Sequence, residues 1–473
     1  MENSDTAGQK KLGLWMAMAL VVGNMIGSGV FFLPSSLAAY GGISILGWIF
    51  SAAGAFFLAL VFSKLSKLIP DISGGPYVYT RAGFGEFAAF LVAWGYWISI
   101  WCTNAGIAVA LVSYLSVFVP VLATDHLISV LVGLGVIWLL TWVNTRGVRE
   151  AGRMQLITTI LKITPLIIIA VGGLFYLDPA NFVPFNLSGE SGFSAVTATA
   201  TLTLFAFLGL ECATIPAGDV AEPEKTIPKA TMWGTAITIL VYILGTVAVM
   251  GIIPPQELQT SNAPFADAAA KIWGNGARQL IAAGVIISTF GALNGWILIQ
   301  GQIPMAAAKD RLFPGIFKKE NRRGMPGIGI VISSILVSVL MVMNFTKGLA
   351  AAFKFIILLS TLTVLVPYLF SAAAFSLFSF RDKKLPKRSL VINTVIGLIA
   401  FGYSLWAVAG SGEEIVYWGF ILLMAGIPFY VWLKRGEVEE VRNRGTEELP
   451  PSLLMSYGGR GGSDRINNCE GMD

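Results

Sequence analysis

The stretch GNMIGSGVFFLP, from Gly23 to Pro34, interrupts a hydrophobic segment that is otherwise typical of a membrane helix. It contains glycines, an asparagine, a serine and a proline, which weaken a helix or bond elsewhere. In hydrocarbon every backbone amide must be bonded, so unwound backbone survives only where it lines a cavity or meets a ligand. The stretch therefore predicts a broken helix whose free N–H groups near Ser28 and Gly29 face a carboxylate.

The composition places this break in a polytopic all-α membrane protein. Of the 473 residues, 55% are hydrophobic and 12% are charged, whereas a soluble domain carries about 25% charged residues. The mean hydropathy is +0.73, and apolar stretches that reach the roughly 20 residues needed to cross a bilayer recur along the chain. The cysteines Cys102, Cys212 and Cys469 have no paired spacing. We expect no disulfide, metal site or cofactor, and the absence of a catalytic constellation indicates that the protein is not an enzyme.

The basic residues predict the orientation of the spans. Lysines and arginines collect before the first span and after the even-numbered ones, so both termini are predicted to be cytoplasmic and the protein is predicted to be a multi-pass protein of the cell (inner) membrane. These loops account for the net charge of +5 without a nucleic-acid partner. The first apolar stretch is too long for a signal peptide and is predicted to be retained. We predict twelve transmembrane helices, at about residues 14–37, 43–68, 86–119, 128–146, 154–177, 194–216, 231–253, 278–307, 327–345, 351–379, 390–409 and 413–433.

The sixth predicted span repeats the interruption of the first. It reads LFAFLGLECATIPAG from Leu204 to Gly218, and because five spans separate the two breaks, their orientations are opposite. Secondary transporters built from inverted repeats of five helices show this pattern. Free carbonyl groups near Phe205 to Leu208 would face an ammonium, so the two breaks together form a site for an α-amino acid. In the alternative interpretation, both glycine patches are close helix-packing faces.

The two interruptions also divide the chain. We predict a first inverted repeat (helices 1–5) over residues 1–178, a second (helices 6–10) over 179–380, helices 11–12 over 381–435, and a disordered cytoplasmic tail over 436–473.

Four motifs carry a resemblance to the amino acid–polyamine–organocation (APC) superfamily of permeases. They are GNMIGSGVFFLP, ISGGPYVYTRAGFG, GLECATIPAGDVAEPEKTIPKA and NGWILIQGQIPMAAAKDRLFP. The sequence is most similar to the bacterial arginine–agmatine and putrescine–ornithine antiporters, over about residues 10 to 435. The resemblance implies a LeuT-like fold with broken helices 1 and 6, and exchange across the membrane. It also implies that the protein can form a homodimer through helices 11–12.

The resemblance assigns roles to individual residues. Tyr368 and Glu211 match an inner-gate tyrosine and a glutamate implicated in proton sensing, and Trp296 matches an aromatic side chain that closes over the substrate. Together with the backbone of the breaks, the predicted substrate-binding residues are Asn24, Ile26, Gly27, Ser28, Gly29, Tyr96, Ile100, Asn104, Phe205, Leu208, Trp296 and Ser360.

Two residues depart from the arginine–agmatine pattern. Phe205 stands where those antiporters have tryptophan, which is the best ring for stacking on a guanidinium. Lys162 lies near the middle of the fifth predicted span, where a charged lysine costs roughly 3 kcal/mol unless it is paired or faces a cavity. In proton-coupled and some neutral amino acid members of the family, a lysine of this helix occupies the place of a bound cation. Lys162 is therefore either a group that takes part in coupling, with Glu211 and Tyr368, or a structural ammonium bonded to carbonyls of the first helix.

Three functions follow from these features. The first is a secondary active amino acid transporter that exchanges an amino acid for another amino acid or its decarboxylated amine by alternating access, with cationic substrates favoured. The second is a proton-coupled or neutral amino acid permease that uses Lys162. A more remote alternative is a sensor that binds an amino acid without moving it.

Overall fold

The helix that begins at Leu14 ends at Met25, and a second helix begins at Gly29 after a short irregular segment. These are the first two of eighteen α-helices in a computed structural model that describes residues 11–70, 72, 74–146, 151–344 and 348–443, with the backbone alone for residues 151–158, 160, 161 and 436–443. In chain order the helices are α1 Leu14–Met25, α2 Gly29–Ala38, α3 Ser44–Leu68, α4 Pro76–Phe84, α5 Glu86–Leu115, α6 Val121–Thr124, α7 His126–Arg146, α8 Ala151–Gly172, α9 Gly192–Leu204, α10 Pro223–Ile252, α11 Pro255–Leu258, α12 Pro264–Trp273, α13 Asn275–Lys309, α14 Gly327–Asn344, α15 Leu349–Arg381, α16 Lys387–Ala409, α17 Glu413–Met424 and α18 Gly426–Asn443.

The prediction of an all-helical polytopic membrane protein is confirmed. Among the described residues, eleven helical stretches are long and apolar enough to cross a membrane. They are Leu14–Ala38, Gly41–Leu68, Glu86–Leu115, His126–Arg146, Gly192–Thr214, Pro223–Ile252, Asn275–Lys309, Gly327–Asn344, Leu349–Arg381, Lys387–Ala409 and Glu413–Arg435. The fifth predicted span corresponds to α8, whose apolar part within the described side chains is the shorter stretch Lys162–Tyr176.

Several boundaries differ from the predicted ones because of helix-start and helix-end chemistry. The predicted seventh span began at residue 231, but α10 begins at Pro223, since proline suits the first helical position, where no N–H is needed. The predicted sixth span ran to residue 216, but α9 ends at Leu204 and is followed by a short 3₁₀ turn, Phe205–Phe207. The third predicted span reached residue 119, whereas α5 ends at Leu115.

The chain divides into two compact units. The first, Met1–Gly426, holds α1 to α17, and its centre is α5, which packs against α13 and α15. The second, Ile427–Asp473, contains α18 as far as Asn443, so helix continues past residue 436, where the tail was predicted to begin. The rest of the predicted tail lies outside the described residues.

Two short helices precede long ones in the same way. α4 begins with Pro76, and its C-cap, Gly85, is also the N-cap of α5. α12 begins with Pro264, and its C-cap, Gly274, is also the N-cap of α13. The two glycines have nearly the same backbone angles, φ 85° with ψ −172° and φ 81° with ψ −174°. Positive φ is readily available only to glycine, so each of these sharp corners requires it.

Candidate functional site

The end of α1 exposes three successive carbonyl groups, and each is met by a side chain from another helix. A helix end leaves its last carbonyl groups without intrahelical partners. The Lys162 ammonium of α8 donates to Gly23 O at 2.9 Å. The Trp296 indole of α13 donates to Asn24 O at 3.1 Å, and the Tyr242 hydroxyl of α10 donates to Met25 O. The break is therefore fixed in place by three separate helices, and Lys162 brings positive charge to the negative end of the α1 dipole.

The start of α2 faces a small cavity with unsatisfied polar groups. The first N–H groups of a helix have no intrahelical partner. Beside them, the Ser28 hydroxyl and both amide atoms of the Asn24 side chain are buried without a hydrogen-bond partner among the described residues. Buried polar groups without partners are uncommon in proteins, and their presence here indicates a place for a polar ligand. The cavity is lined by Asn24, Met25, Gly27, Ser28, Gly29, Thr103, Ile107, Phe205, Leu208 and Trp296.

The second interruption lies directly against the first. Gly209 has φ +106°, and a Cβ there would come within 3.2 Å of the backbone of Asn24 and Met25. A Cβ on Gly29 would come within 3.0 Å of the Ala206 Cα. In the described part of the chain, the carbonyl groups of Ala206 and Leu208 accept no backbone hydrogen bond outside the helices. Free N–H groups and free carbonyl groups thus occur at adjoining segments, as an amino acid zwitterion would require.

The cavity wall includes many of the predicted substrate-binding residues and omits others. Asn24, Gly27, Ser28, Gly29, Phe205, Leu208 and Trp296 line it. The predicted residues outside the lining are Ile26, Tyr96, Ile100, Asn104 and Ser360. Sequence reasoning missed Met25, Thr103 and Ile107. The last two lie on α5 one residue before Asn104 and three after it, so the predicted face of α5 is rotated by about 100°, the turn of a single residue.

Asn104 bonds within the protein through its side-chain nitrogen, while its Oδ1 is buried without a hydrogen-bond partner among the described residues. Its side-chain nitrogen donates to Gln300 Oε1 at 2.6 Å, and Gln300 donates in turn to Ile330 O and to Ser334 Oγ. This network joins α5, α13 and α14. Ser360 also stands behind the wall, with its hydroxyl 2.7 Å from that of Thr103. Asn104 and Ser360 are therefore one layer removed from the cavity that they were predicted to line.

Glu211 is held by two tyrosines. Its carboxylate oxygens accept hydrogen bonds from the Tyr96 hydroxyl at 2.6 Å and the Tyr368 hydroxyl at 2.8 Å, and all three residues are buried. This carboxylate–tyrosine cluster (Glu211, Tyr96 and Tyr368) joins the segment after the second break to α5 and α15. Tyr96 was predicted to bind substrate, but its hydroxyl is directed to Glu211.

Phe205 of the cavity wall belongs to a chain of aromatic contacts. It packs edge-on against Phe353 with centroids 6.0 Å apart, and Phe353 packs against Phe32 of α2 at 4.6 Å. Phe31 of α2 contacts Phe265 of α12 at 5.5 Å. Separately, Tyr368 of the carboxylate–tyrosine cluster packs against Phe62 at 5.6 Å.

A further polar contact ties α4 to the end of α13. The Tyr77 hydroxyl donates to the Asp310 carboxylate at 3.0 Å, and the Arg81 guanidinium lies 3.4 Å from the same carboxylate. Burial, and then the neighbouring Asp310 charge, raise the pKa of Tyr77 well above its ordinary value, so the hydroxyl stays protonated and donates. Within the described residues, no cluster of three histidine, cysteine or acidic side chains could hold a metal ion.

We expect alanine to be tolerated at Gly27 but not at Gly29. A Cβ on Gly27 would make ordinary contacts, at 3.6 Å to Ile107 and 3.7 Å to Ala292, whereas a Cβ on Gly29 would push against the backbone of Ala206. Overpacking of this kind costs at least about 1 kcal/mol. Thermal unfolding of the purified variants, with substrate binding to each, would check this. Equal stability and binding of Gly27→Ala and Gly29→Ala would contradict the close approach of the two breaks.

A multi-span helical bundle with a small cavity where two helix interruptions meet is typical of a membrane transporter. The comparison with known sequences agrees, because residues 12–433 match the family model described as amino acid permease. The chain belongs to this family, within the APC superfamily, and is an amino acid transporter rather than an enzyme.

Curated relatives cover almost the whole chain. A putative arginine/ornithine antiporter of Bacillus subtilis is 32% identical over 455 residues, which are 89% of this chain and 96% of the relative. An arginine/ornithine antiporter of Pseudomonas aeruginosa is 32% identical over 93% of this chain and 94% of its own length. A cadaverine/lysine antiporter of Escherichia coli is 32% identical over 89% of this chain and 94% of its own length. These bacterial relatives imply that the protein resides in the cell membrane.

Proposed function

We propose that this protein is a secondary active exchanger that moves an amino acid against another amino acid or its decarboxylated amine by alternating access. The observation that carries the proposal is the small cavity between the two breaks, where Asn24 and Ser28 have buried polar atoms without partners among the described residues. The first N–H groups of α2, near Ser28 and Gly29, bind the substrate carboxylate. The free carbonyls of Ala206 and Leu208 bind its ammonium. Ile26 contributes backbone to the same segment.

We further propose that the fold consists of two inverted repeats of five helices, followed by two more, in the LeuT-like arrangement. The matched corners at Gly85 and Gly274 support this proposal, since each joins a short proline-initiated helix to the long helix that follows. In the proposed arrangement α4 and α12 are counterparts in the two repeats. In this proposal α8 is added to the eleven long apolar stretches and makes twelve spans. It corresponds to the fifth predicted span, and its Lys162 contacts α1.

Cationic substrates are favoured on two grounds. The relatives are antiporters whose names give arginine, ornithine, lysine and cadaverine. In the cavity, the rings of Phe205 and Trp296 can face a cation, and such contacts contribute about 1 to 2 kcal/mol when desolvated. No acidic side chain is part of the described cavity wall. A second positive charge on the substrate would therefore rest on aromatic faces and neutral acceptors.

A second candidate is a proton-coupled or neutral amino acid permease. The hydrogen bond from Lys162 to Gly23 O favours it, because the ammonium fixes the break from the side, as a bound cation would. Glu211, Tyr96 and Tyr368 are proposed to form a gate in either mechanism, since their cluster links the second break to α5 and α15. The cluster must part for the cavity to open on that side.

The remaining proposals concern the assembly and its placement. Both termini are proposed to be cytoplasmic, by the distribution of lysine and arginine. Large apolar side chains of α16 and α17 are exposed, among them Leu398, Leu405 and Phe420. This face is compatible with the proposed homodimer through the last two spans.

Counterflow in proteoliposomes tests the function directly. Vesicles loaded with unlabelled arginine, lysine or ornithine are expected to accumulate the labelled amino acid, and agmatine and putrescine should compete. Leucine, methionine, serine and alanine serve as the neutral set. Competition by the neutral set alone would favour the second candidate. Binding without accumulation of any of these compounds would instead identify a sensor.

A further inference from the structure

Thr103 carries the one hydroxyl or amide side chain of the described cavity wall that does not belong to the first break. Such side chains of the wall are Asn24, Ser28 and Thr103, and the indole N–H of Trp296 already donates to Asn24 O. The first two belong to the segment proposed to bind the α-carboxylate and α-ammonium of the substrate. Thr103 comes from α5, together with the apolar Ile107. It is therefore the side chain that is left to meet a polar group on the substrate's own side chain.

The hydrogen bonds behind Thr103 determine which kind of group it can meet. The Ser360 hydroxyl donates its single proton to Ser99 O at 2.9 Å. The same Ser360 oxygen lies 2.7 Å from Thr103 Oγ1. The distance alone allows either hydroxyl to donate. A hydroxyl has one proton and two lone pairs, so when Ser360 donates to Ser99 O, Thr103 is the donor between them. The remaining lone pairs of Thr103 are acceptors only.

Because Thr103 is buried, the acceptor character of its oxygen affects which substrates can bind. Ser360 is fully buried, and Thr103 and Ser99 are 4% and 2% exposed, so water cannot readily replace a missing partner. A donor group on the substrate would pair with the Thr103 oxygen, whereas a methyl group in the same place would leave that oxygen unpaired. No carboxylate stands in the described wall to bind an ammonium more strongly.

We propose that Thr103 is a specificity-determining residue, whose hydroxyl oxygen accepts a hydrogen bond from an N–H group at the end of the transported amino acid's side chain. Ser360 is a positioning residue that fixes the Thr103 proton. This inference rests on the proposed amino acid exchange and names the chemistry that selects among its substrates.

Lysine and norleucine provide a matched pair of probes, since norleucine has the same six-carbon skeleton and lacks the terminal amine. Their affinities are measured by equilibrium binding to purified wild-type protein, Thr103→Val and Thr103→Ser. Valine has the shape of threonine without the hydroxyl. We expect Thr103→Val to weaken lysine binding about tenfold and to leave norleucine binding unchanged. Thr103→Ser should restore lysine binding.

Ser360→Ala gives an independent readout, because it frees the Thr103 proton and should weaken lysine binding without removing the Thr103 side chain. This inference, but not the proposed function, would be overturned if Thr103→Val weakened the binding of lysine and norleucine equally. It would also be overturned if neither Thr103→Val nor Ser360→Ala weakened lysine binding. If Thr103→Val does not yield a monodisperse protein, the Ser360→Ala comparison decides. A wild-type protein that binds norleucine at least as tightly as lysine overturns both this inference and the cationic assignment. The absence of any amino acid exchange by the wild type overturns the proposed function itself.

Discussion

Lys162→Met is expected to reduce exchange at least 30-fold. Methionine keeps the length of the side chain but cannot donate to Gly23 O, which then lies at a buried helix end without its partner. A hydrogen bond from a charged group contributes about 2 kcal/mol, which corresponds to roughly 30-fold. Initial rates of counterflow in proteoliposomes, at equal amounts of reconstituted protein, would measure the effect.

Lys162→Arg is the matched control, because arginine remains charged at every accessible pH. If the ammonium only fixes the break, Lys162→Arg should retain much of the exchange and should respond to an imposed proton gradient as the wild type does. If Lys162 exchanges protons during the cycle, Lys162→Arg should lose any acceleration by that gradient. Exchange in Lys162→Met at the wild-type rate would remove Lys162 from both roles.

Glu211→Gln is expected to slow exchange by a similar factor. The carboxylate accepts from two tyrosine hydroxyls at once, but an amide has only one oxygen and presents N–H donors at its other end. One tyrosine must then turn or lose its partner in a fully buried place, at a cost of about 2 kcal/mol. The cluster joins the second break to α5 and α15, so losing one of its hydrogen bonds should destabilise the conformation in which these three segments are held together. Counterflow rates and substrate affinity, measured side by side, would show a loss in rate larger than the loss in binding.

Tyr96→Phe and Tyr368→Phe each remove one of the two hydrogen bonds and leave the carboxylate in place. Each should have a smaller effect than Glu211→Gln, and the double variant should approach it. An unchanged rate in Glu211→Gln, with both tyrosine variants also active, would show that the cluster only packs helices together.

The breaks were predictable because their chemistry is local. Glycines at 27, 29 and 209 allow either close helix packing or unwound backbone, and the energetic cost of unsatisfied backbone in hydrocarbon makes unwinding there point to a cavity. Asn24, Ser28, Phe205 and Leu208 accompany those glycines in the sequence, and they line the cavity in the structure. The predicted free carbonyls near Phe205 to Leu208 correspond to those of Ala206 and Leu208.

The contribution of α5 was not predictable from sequence pattern. An amphipathic helix shows which of its faces points inward, but 94% of the apolar window of α5 is buried, so every face points inward and the sequence pattern does not fix the rotation of the helix. Tyr96, Ile100 and Asn104 lie four residues apart along one line, and the cavity instead meets the neighbouring line through Thr103 and Ile107. Only the packing of α5 against α13 and α15 fixes that angle.

Most hydrogen-bond partners of the buried polar groups could not be predicted from the sequence either. The sequence offered carbonyls of the first helix as one of two alternatives for Lys162, which donates to Gly23 O in the structure. Nothing along the chain indicates that Trp296 and Tyr242 meet the next two carbonyls, because these residues are separated by many spans. Their convergence depends on the three-dimensional arrangement of α8, α10 and α13. The sequence shows that a buried lysine needs a partner, but not which carbonyl supplies it.

The start of the described chain is fastened to the segment that follows the second break. Leu12 N donates to Asp219 O at 2.8 Å, and Ala221 N donates to Leu12 O at 2.9 Å, in a short β-bridge. The next residue, Gly13, has open space where a side chain would project. A fluorescent dye attached at Gly13→Cys would therefore move with the β-bridge that joins the start of the first span to the segment after the second break. Cys102 and Cys212 are buried and would escape labelling. With Cys469 changed to serine, the introduced cysteine would then be the one site that the dye labels.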